Sequence, residues 1–361
     1  MNYFFDTTNL RKVDTQKVAD IYQLQSDDFI NRYYIVSSEG TRHLMASPEV
    51  VGFDSYLSMI PSTVAALNYL IREGFSGSVN ILTILRGGLN YPLEECCHQV
   101  GLQVDNINFV SCERVIDSGA VTGLDIKYEK LYINRDCTLI IGDIIASGDT
   151  LRLCLQQVVD SFCREGGSIR RIIFFTIGGS RAISLLESFT ASIRMIWPEF
   201  EGFQCFFYEG VFNVYEDKGV TGVNIPGIDF CWKDGIISPE FRFYILNDSN
   251  ALFEKCIIYD GGARRYEIPT HYAEVMEYWD ALEEAAEKSD FRAFLSEKIG
   301  YEGMPDFERW LDISRYRGLS GMEILYHKEQ RFLEEAMKRN LIDICRERIK
   351  EFKERMSRYN Q

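Results

Sequence analysis

The chain is poor in the features that mark several large classes of protein. It has four histidines in 361 residues. His43, His98, His271 and His327 stand at no metal-ligand spacing and read as structural or exposed. Its ten cysteines include no Cys-x-x-Cys pair, which removes the usual zinc frameworks. Cys96 and Cys97 adjoin on an expected helix, and Cys154, Cys205, Cys231 and Cys345 lie in apolar contexts. They read as reduced thiols that pack as small hydrophobes, which implies a cytoplasmic setting. No apolar run reaches about 18 residues, so no membrane-spanning helix is expected. Met1 to Thr8 carries neither a basic start nor an apolar core, so no secretory signal is expected. Internal repeats and low-complexity segments are absent. Positive charge is scarce, with 39 Lys and Arg against 54 Asp and Glu and a net charge of −15. A general nucleic-acid surface is therefore not expected.

What the chain does have is apolar content for a full core, 46% of residues, and length for two domains or one large one. Residues 1–55 mix polar and aromatic positions, with a helix expected over 16–24 and a strand over 32–36, and read as a cap or hood segment. A helix over 56–73 carries an apolar stripe at Leu57, Ile60, Val64, Leu67, Leu70 and Ile71. From there to about Tyr215, strands alternate with helices. That order predicts an α/β domain over 56–250, with an open, mainly parallel twisted sheet and helices on both faces. From 251 to 361 the pattern is helical, over 271–286, 291–299 and 325–356. The last stripe runs through Leu341, Cys345, Ile349, Phe352 and Met356.

One stretch is more informative than the rest. Cys137 to Ile141 is an apolar run suited to a strand covered on both faces. Asp143 stands where that strand is expected to stop. Ala146, Ser147 and Gly148 follow, small enough for an anion to approach, and Gly148 permits positive φ. Asp149 or Thr150 can then cap a helix through Leu151, Leu155, Val158 and Val159. The free N–H groups of that helix would face the loop. Such a unit can hold a phosphate on the loop amides and a sugar on Asp143, or be an ordinary turn of a doubly wound sheet. It is not a Walker loop, since no Gly-Lys-Ser/Thr follows, and it lacks the dinucleotide glycine spacing.

A second apolar strand, from Val79, ends in Arg86-Gly87-Gly88 and meets a helix that begins near Pro92. Arg86 offers a planar fork for an oxyanion, and the two glycines let backbone approach it. A third strand ends at Arg114. Residues 115–125, with two glycines and no period, read as a long loop or an exposed hairpin, flanked by Lys127 and Tyr128. Gly178-Gly179 follows one more strand and reads as a third glycine turn on the same rim. Gly261 to Arg265 reads as a turn or an anion contact.

The pattern at Asp143, Ala146, Ser147, Gly148 and Thr150 resembles the phosphoribosyl-pyrophosphate (PRPP) signature of the type I phosphoribosyltransferases. The resemblance covers about half of the chain. It implies that Asp143, Ala146, Ser147, Gly148, Asp149 and Thr150 bind the ribose 5-phosphate, and that Arg86, Gly87, Gly88 and Arg114 bind the pyrophosphate. It further implies a lid over 115–125 and a base-binding hood near Asp229, Phe230 and Trp232. The implied reaction displaces pyrophosphate from Mg²⁺-bound PRPP by a nitrogen of a base, with Asp143 as the catalytic acid group and Mg²⁺ as cofactor, in nucleotide salvage or a related pathway. Homodimers are common among such proteins. The chain departs from the pattern at Gly142, where the family usually carries a first acid. That departure admits a non-catalytic PRPP- or nucleotide-binding regulator on the same fold.

Overall fold

A computed structural model describes residues 8–85, 87–117, 120–146, 148–247, 250–254, 261–289 and 291–359; the side chain of Arg114 and several others in its hairpin lie outside the description. In chain order the elements are β1 (Asn9–Thr15), β2 (Ala19–Gln25), β3 (Arg32–Ser38), α1 (Glu39–Ala46), α2 (Phe53–Leu57), α3 (Ile60–Arg72) and β4 (Val79–Leu85). A 3₁₀ turn (Gly87–Asn90), α4 (Leu93–Gln99), β5 (Val104–Asp117), β6 (Ala120–Lys130) and β7 (Cys137–Ile145) follow. Then come α5 (Asp149–Arg164), β8 (Ile169–Gly179), α6 (Ser180–Ile196), β9 (Gly202–Val214), β10 (Phe230–Ile237) and α7 (Pro239–Ile245). The C-terminal part holds α8 (Gly261–Tyr266), α9 (Ile268–Ala286), α10 (Phe291–Ile299), α11 (Phe307–Ser314), α12 (Met322–Ala336) and α13 (Leu341–Met356).

Among the described residues ten strands form one sheet in the order β1-β2-β3-β9-β8-β7-β4-β5-β6, with β10 also on β9. Six central strands, β3 to β5 in that order, run parallel, while β1, β2, β6 and β10 attach antiparallel. The sheet is therefore mixed, with a parallel centre. The central strands are apolar because both faces are covered: Leu139, Ile140 and Ile141 are at most 1% exposed. Fully burying such a side chain contributes about 1.5–3 kcal/mol. Neighbouring residues of β3 show the two layers, since successive strand side chains point to opposite faces. Tyr33 hydrogen-bonds to Glu187 and the Ile183 carbonyl of α6, while the ring of Tyr34 packs edge-on against Tyr69 of α3.

Two sequence expectations are corrected here, and one open alternative is decided. Residues 16–24 are not a helix: 16–18 are the turn after β1, and 19–24 belong to β2. Ile21 and Leu24 stand at a spacing that also suits a helix, but pairing with β3 (Ile21↔Val36, Tyr22↔Ile35) decides. The sequence left residues 115–125 as a long loop or an exposed hairpin, and their described part is the hairpin, with β5 and β6 antiparallel and in register at Arg114↔Leu124 and Val115↔Gly123. The run 325–356 is two helices, broken where the Asn340 side chain caps α13 by accepting from Ile342 N–H at 2.9 Å.

The described part of 251–361 is helical. It is joined to the sheet domain through buried ion pairs. Arg242 of α7 meets Glu329 of α12 at 3.1 Å, and Arg348 of α13 pairs with Glu254 and, at 2.9 Å, with Glu49. Among the described residues no helix is long and apolar enough to cross a membrane.

Candidate functional site

The strand order reverses at one place. From β4 the chain steps to β5 on one side, and from β7 it steps to β8 and β9 on the other. Ligands of open α/β sheets bind beyond the carboxyl ends of the strands at such a point. β4 and β7 pair through Leu82↔Ile141, whereas β7 stays paired with β8 as far as Ile145↔Gly178. The two strands therefore part beyond Ile141, and the segments that follow them face each other across a crevice.

On the β7 side, the strand runs through Asp143 to Ile145 rather than stopping at the acid. Gly148 is the N-cap of α5 at φ 84°, ψ −4°, a left-handed conformation that favours glycine. Asp149 and Thr150 begin α5 itself, so the N-cap expected at one of them falls on Gly148, which has no side chain. The first-turn N–H groups of α5 face the loop. Ala146 is half-buried beside it, and Ser147 lies outside the described residues.

On the β4 side, Gly87 opens the 3₁₀ turn, and the buried Asn90 side chain donates to the Gly87 carbonyl at 3.0 Å. A Cβ on Gly87 would collide with Asp143 Oδ1. The Asp143 carboxylate therefore lies directly against the backbone of the β4 turn, which joins the two motifs at one place. Gly88 belongs to the same turn. Arg86 lies outside the described residues, as does the side chain of Arg114, whose backbone lies within β5.

Tyr91, just after that turn, was not singled out from the sequence. Its ring lies against Gly142, where a Cβ would be 2.5 Å from Tyr91 Cγ. Its hydroxyl donates to the Asp143 carbonyl at 3.3 Å and accepts from Ile177 N–H at 3.3 Å. Behind it the Tyr208 ring stacks at 5.9 Å, and the Tyr208 hydroxyl meets Thr63 Oγ1 at 2.6 Å. The space that a side chain at position 142 would take is thus filled by an aromatic ring that is itself held from two sides. In the sequence, only the closeness of Tyr91 to the Gly-Gly pair hinted at this.

Other sequence candidates fall elsewhere. Gly178 and Gly179 lie within the end of β8, in register with Val211 and Phe212, and are close-packed against the sheet. Asp229 is buried and caps its own turn by accepting from Ile225 N–H at 2.9 Å. Phe230 stacks on Phe212 in the core, and Trp232 leans on Phe241. Lys127 pairs with Glu113 at 3.3 Å and with Asp125, within its own hairpin. Arg265 of α8 donates to the Leu89 carbonyl in the 3₁₀ turn at 2.7 Å. Cys112 of β5 and Cys154 of α5 bring their sulfurs to 3.2 Å as thiols. Burial and the neighbouring Cys112 push the Cys154 thiol up.

A second buried polar cluster was also missed. Glu209 sits in the β9 bulge at φ 64°, fully buried. It accepts from Ser37 Oγ (2.6 Å), Ser38 N–H (3.0 Å), Ser238 Oγ (3.1 Å) and Thr41 Oγ1 at the N-terminus of α1. Burial pushes its carboxyl up to about 7, against the pull of these donors.

No group of three or more His, Cys, Asp or Glu side chains suited to a metal ion occurs among the described residues. Asp143 is a single carboxylate at the crevice, and the adjoining position is filled by Tyr91. This donor set suits a Mg²⁺ that arrives on the oxygens of a phosphorylated substrate and takes one contact from the chain.

No family model matches the chain, and no curated protein matches it. Solved structures similar to it include the AQ2163 protein of Aquifex aeolicus, at 10% identity and a TM-score of 0.33, over 52% of this chain and 88% of that one. A hypoxanthine phosphoribosyltransferase of Staphylococcus aureus is similar at 13% identity and a TM-score of 0.27, over 36% and 65%. A purine phosphoribosyltransferase of Pyrococcus horikoshii is similar at 19% identity and a TM-score of 0.24, over 33% and 71%.

Proposed function

We propose that the chain binds Mg²⁺-complexed PRPP in the crevice between β4 and β7 and transfers its 5-phosphoribosyl group to a nitrogen of a base, releasing pyrophosphate. The observation that carries this reading is the contact of the Asp143 carboxylate with Gly87, which brings the two motifs together where the strand order reverses. In this reading the 5′-phosphate sits on the amides of 146–150 at the N-terminus of α5. Asp143 faces the ribose hydroxyls and the positive charge that develops at the anomeric carbon. The amides of Gly87 and Gly88, with Arg86 and Arg114, take the charge that builds on the departing pyrophosphate. The base nitrogen forms its bond to that carbon as the bond to pyrophosphate breaks, and no covalent intermediate with the protein is required.

One observation favours a second reading. Tyr91 fills the position of the first acid, so a regulator that binds PRPP or a nucleotide without turnover fits the same crevice. Calorimetry with Mg²⁺ and PRPP, followed by a pyrophosphate-release assay over a panel of bases, separates the two. Binding with release supports the transferase. Binding with no release from any base supports the regulator. An absence of binding overturns both.

A further inference from the structure

The C-terminal helical segment meets the candidate site through α8, from which Arg265 reaches the 3₁₀ turn. Arg265 of α8 donates through Nη1 to the Leu89 carbonyl at 2.7 Å. Its guanidinium lies 4.4 Å from the Tyr56 ring centroid and 5.1 Å from that of Tyr266. Phe53 stacks on Tyr56 at 5.2 Å and backs this arrangement. The cation is thus held by ring faces and one carbonyl, and among the described residues no carboxylate pairs with it. This contrasts with Arg242 and Arg348 in the same region, each of which sits on a glutamate. In a chain of net charge −15, an arginine with donors left over beside a Gly-Gly turn is a place for an anion.

The 3₁₀ turn that Arg265 touches begins at Gly87, against the Asp143 carboxylate. Arg265 holds its other end at Leu89. A 3₁₀ turn rises about 2 Å per residue, so the two side chains bracket a segment about the size of a pyrophosphate group. Resting on the function proposed above, we infer that Arg265 is a pyrophosphate-binding residue of this site, contributed by the helical C-terminal segment. Binding there uses the guanidinium donors not engaged by Leu89, while the tyrosine faces hold the plane of the fork.

Calorimetry on the full chain with Mg²⁺ tests this, using three ligands: PRPP, pyrophosphate and ribose 5-phosphate. Arg265→Ala is expected to weaken PRPP and pyrophosphate at least about ten-fold, a loss typical of one charge-assisted contact, and to leave ribose 5-phosphate unchanged. Arg265→Lys keeps the charge but not the stacked fork, and an intermediate loss is expected. If Arg265→Ala binds all three ligands as the parent does, the inference is wrong and the function stands. If it weakens ribose 5-phosphate as much as pyrophosphate, Arg265 only props the turn, and the inference is again wrong. If the parent binds none of the ligands, the proposed function itself fails. Should the Ala variant unfold on heating far below the parent, the Lys variant decides by the same comparison.

Discussion

The ring of Tyr91 occupies the space that any side chain at Gly142 would need, with a Cβ there placed 2.5 Å from Tyr91 Cγ. Gly142→Asp, which would place a second acid beside Asp143, is therefore expected to destabilise rather than to activate. Forcing atoms into a packed site costs about 1–3 kcal/mol, and a carboxylate against a ring adds desolvation. Urea unfolding of Gly142→Asp, Tyr91→Ala and the double variant checks this. Added to Tyr91→Ala, Gly142→Asp should cost less than it does in the parent, because the ring is gone. Equal stability of the parent and Gly142→Asp would refute the packing account.

Asp143 is the acid that remains. It is half-buried, and its carboxylate lies against Gly87. Asp143→Asn keeps the shape and removes the charge. Under the transferase reading, kcat is expected to fall by about 100-fold or more, the size seen when one electrostatic contact to a transition state is removed. Under the regulator reading, only PRPP affinity falls. Initial rates of pyrophosphate release, set beside binding isotherms, report which of these happens. Loss of neither would remove Asp143 from the site.

How much of this was legible in the residues differs from element to element. The crevice was legible because each half is local: an apolar strand followed by small residues declares itself within a dozen positions. Gly148 could be read as a positive-φ position for the same reason. Tyr91 against Gly142 could not, because that contact joins positions 51 residues apart and depends on how β4 and β7 pair. The strand over 19–25 was misread since Ile21 and Leu24 fit a helix locally and are strand only through β3. Phe230 and Trp232 are hood residues only by the resemblance, and an aromatic cluster is more often core; Phe230 is buried on Phe212, and the half-buried Trp232 leans on Phe241. The acidic centre at Glu209 left no trace, because its partners Ser37, Ser38, Thr41 and Ser238 come from two distant segments.

Glu209 also predicts a pH dependence. Burial raises its folded-state carboxyl to about 7 from the ordinary 4.5, so between these values the folded state holds a proton that the unfolded chain has released. The stability from this group is fully present below about pH 4.5 and is lost as pH rises through about 7. One pKa unit is about 1.4 kcal/mol, which makes the loss on the order of 3 kcal/mol. Glu209→Gln removes the titration. The stability of the parent minus that of the variant should fall by about this amount between pH 4.5 and 7 and level off above. Other titrating groups cancel in the difference. A flat difference curve from denaturant melts would contradict the assignment.

The junction between sheet domain and helical segment rests on a buried pair, Arg242 with Glu329, each at most 4% exposed. Glu329 also accepts from Trp310 Nε1 at 3.2 Å and from the Tyr301 hydroxyl, and Arg242 lies over the Trp310 and Tyr316 rings. Removing one partner strands a charge in a dry site. Glu329→Ala is therefore expected to cost about 3–5 kcal/mol. Replacing both by apolar residues of similar volume, as in Arg242→Met/Glu329→Leu, should cost far less, because no unpaired charge is left. Chemical denaturation of the two single variants and the double variant measures the coupling. A double variant as unstable as the sum of the singles would mean that the rings and the Ser314 hydroxyl, 2.9 Å from Arg242 Nη1, hold the junction and the ion pair does not.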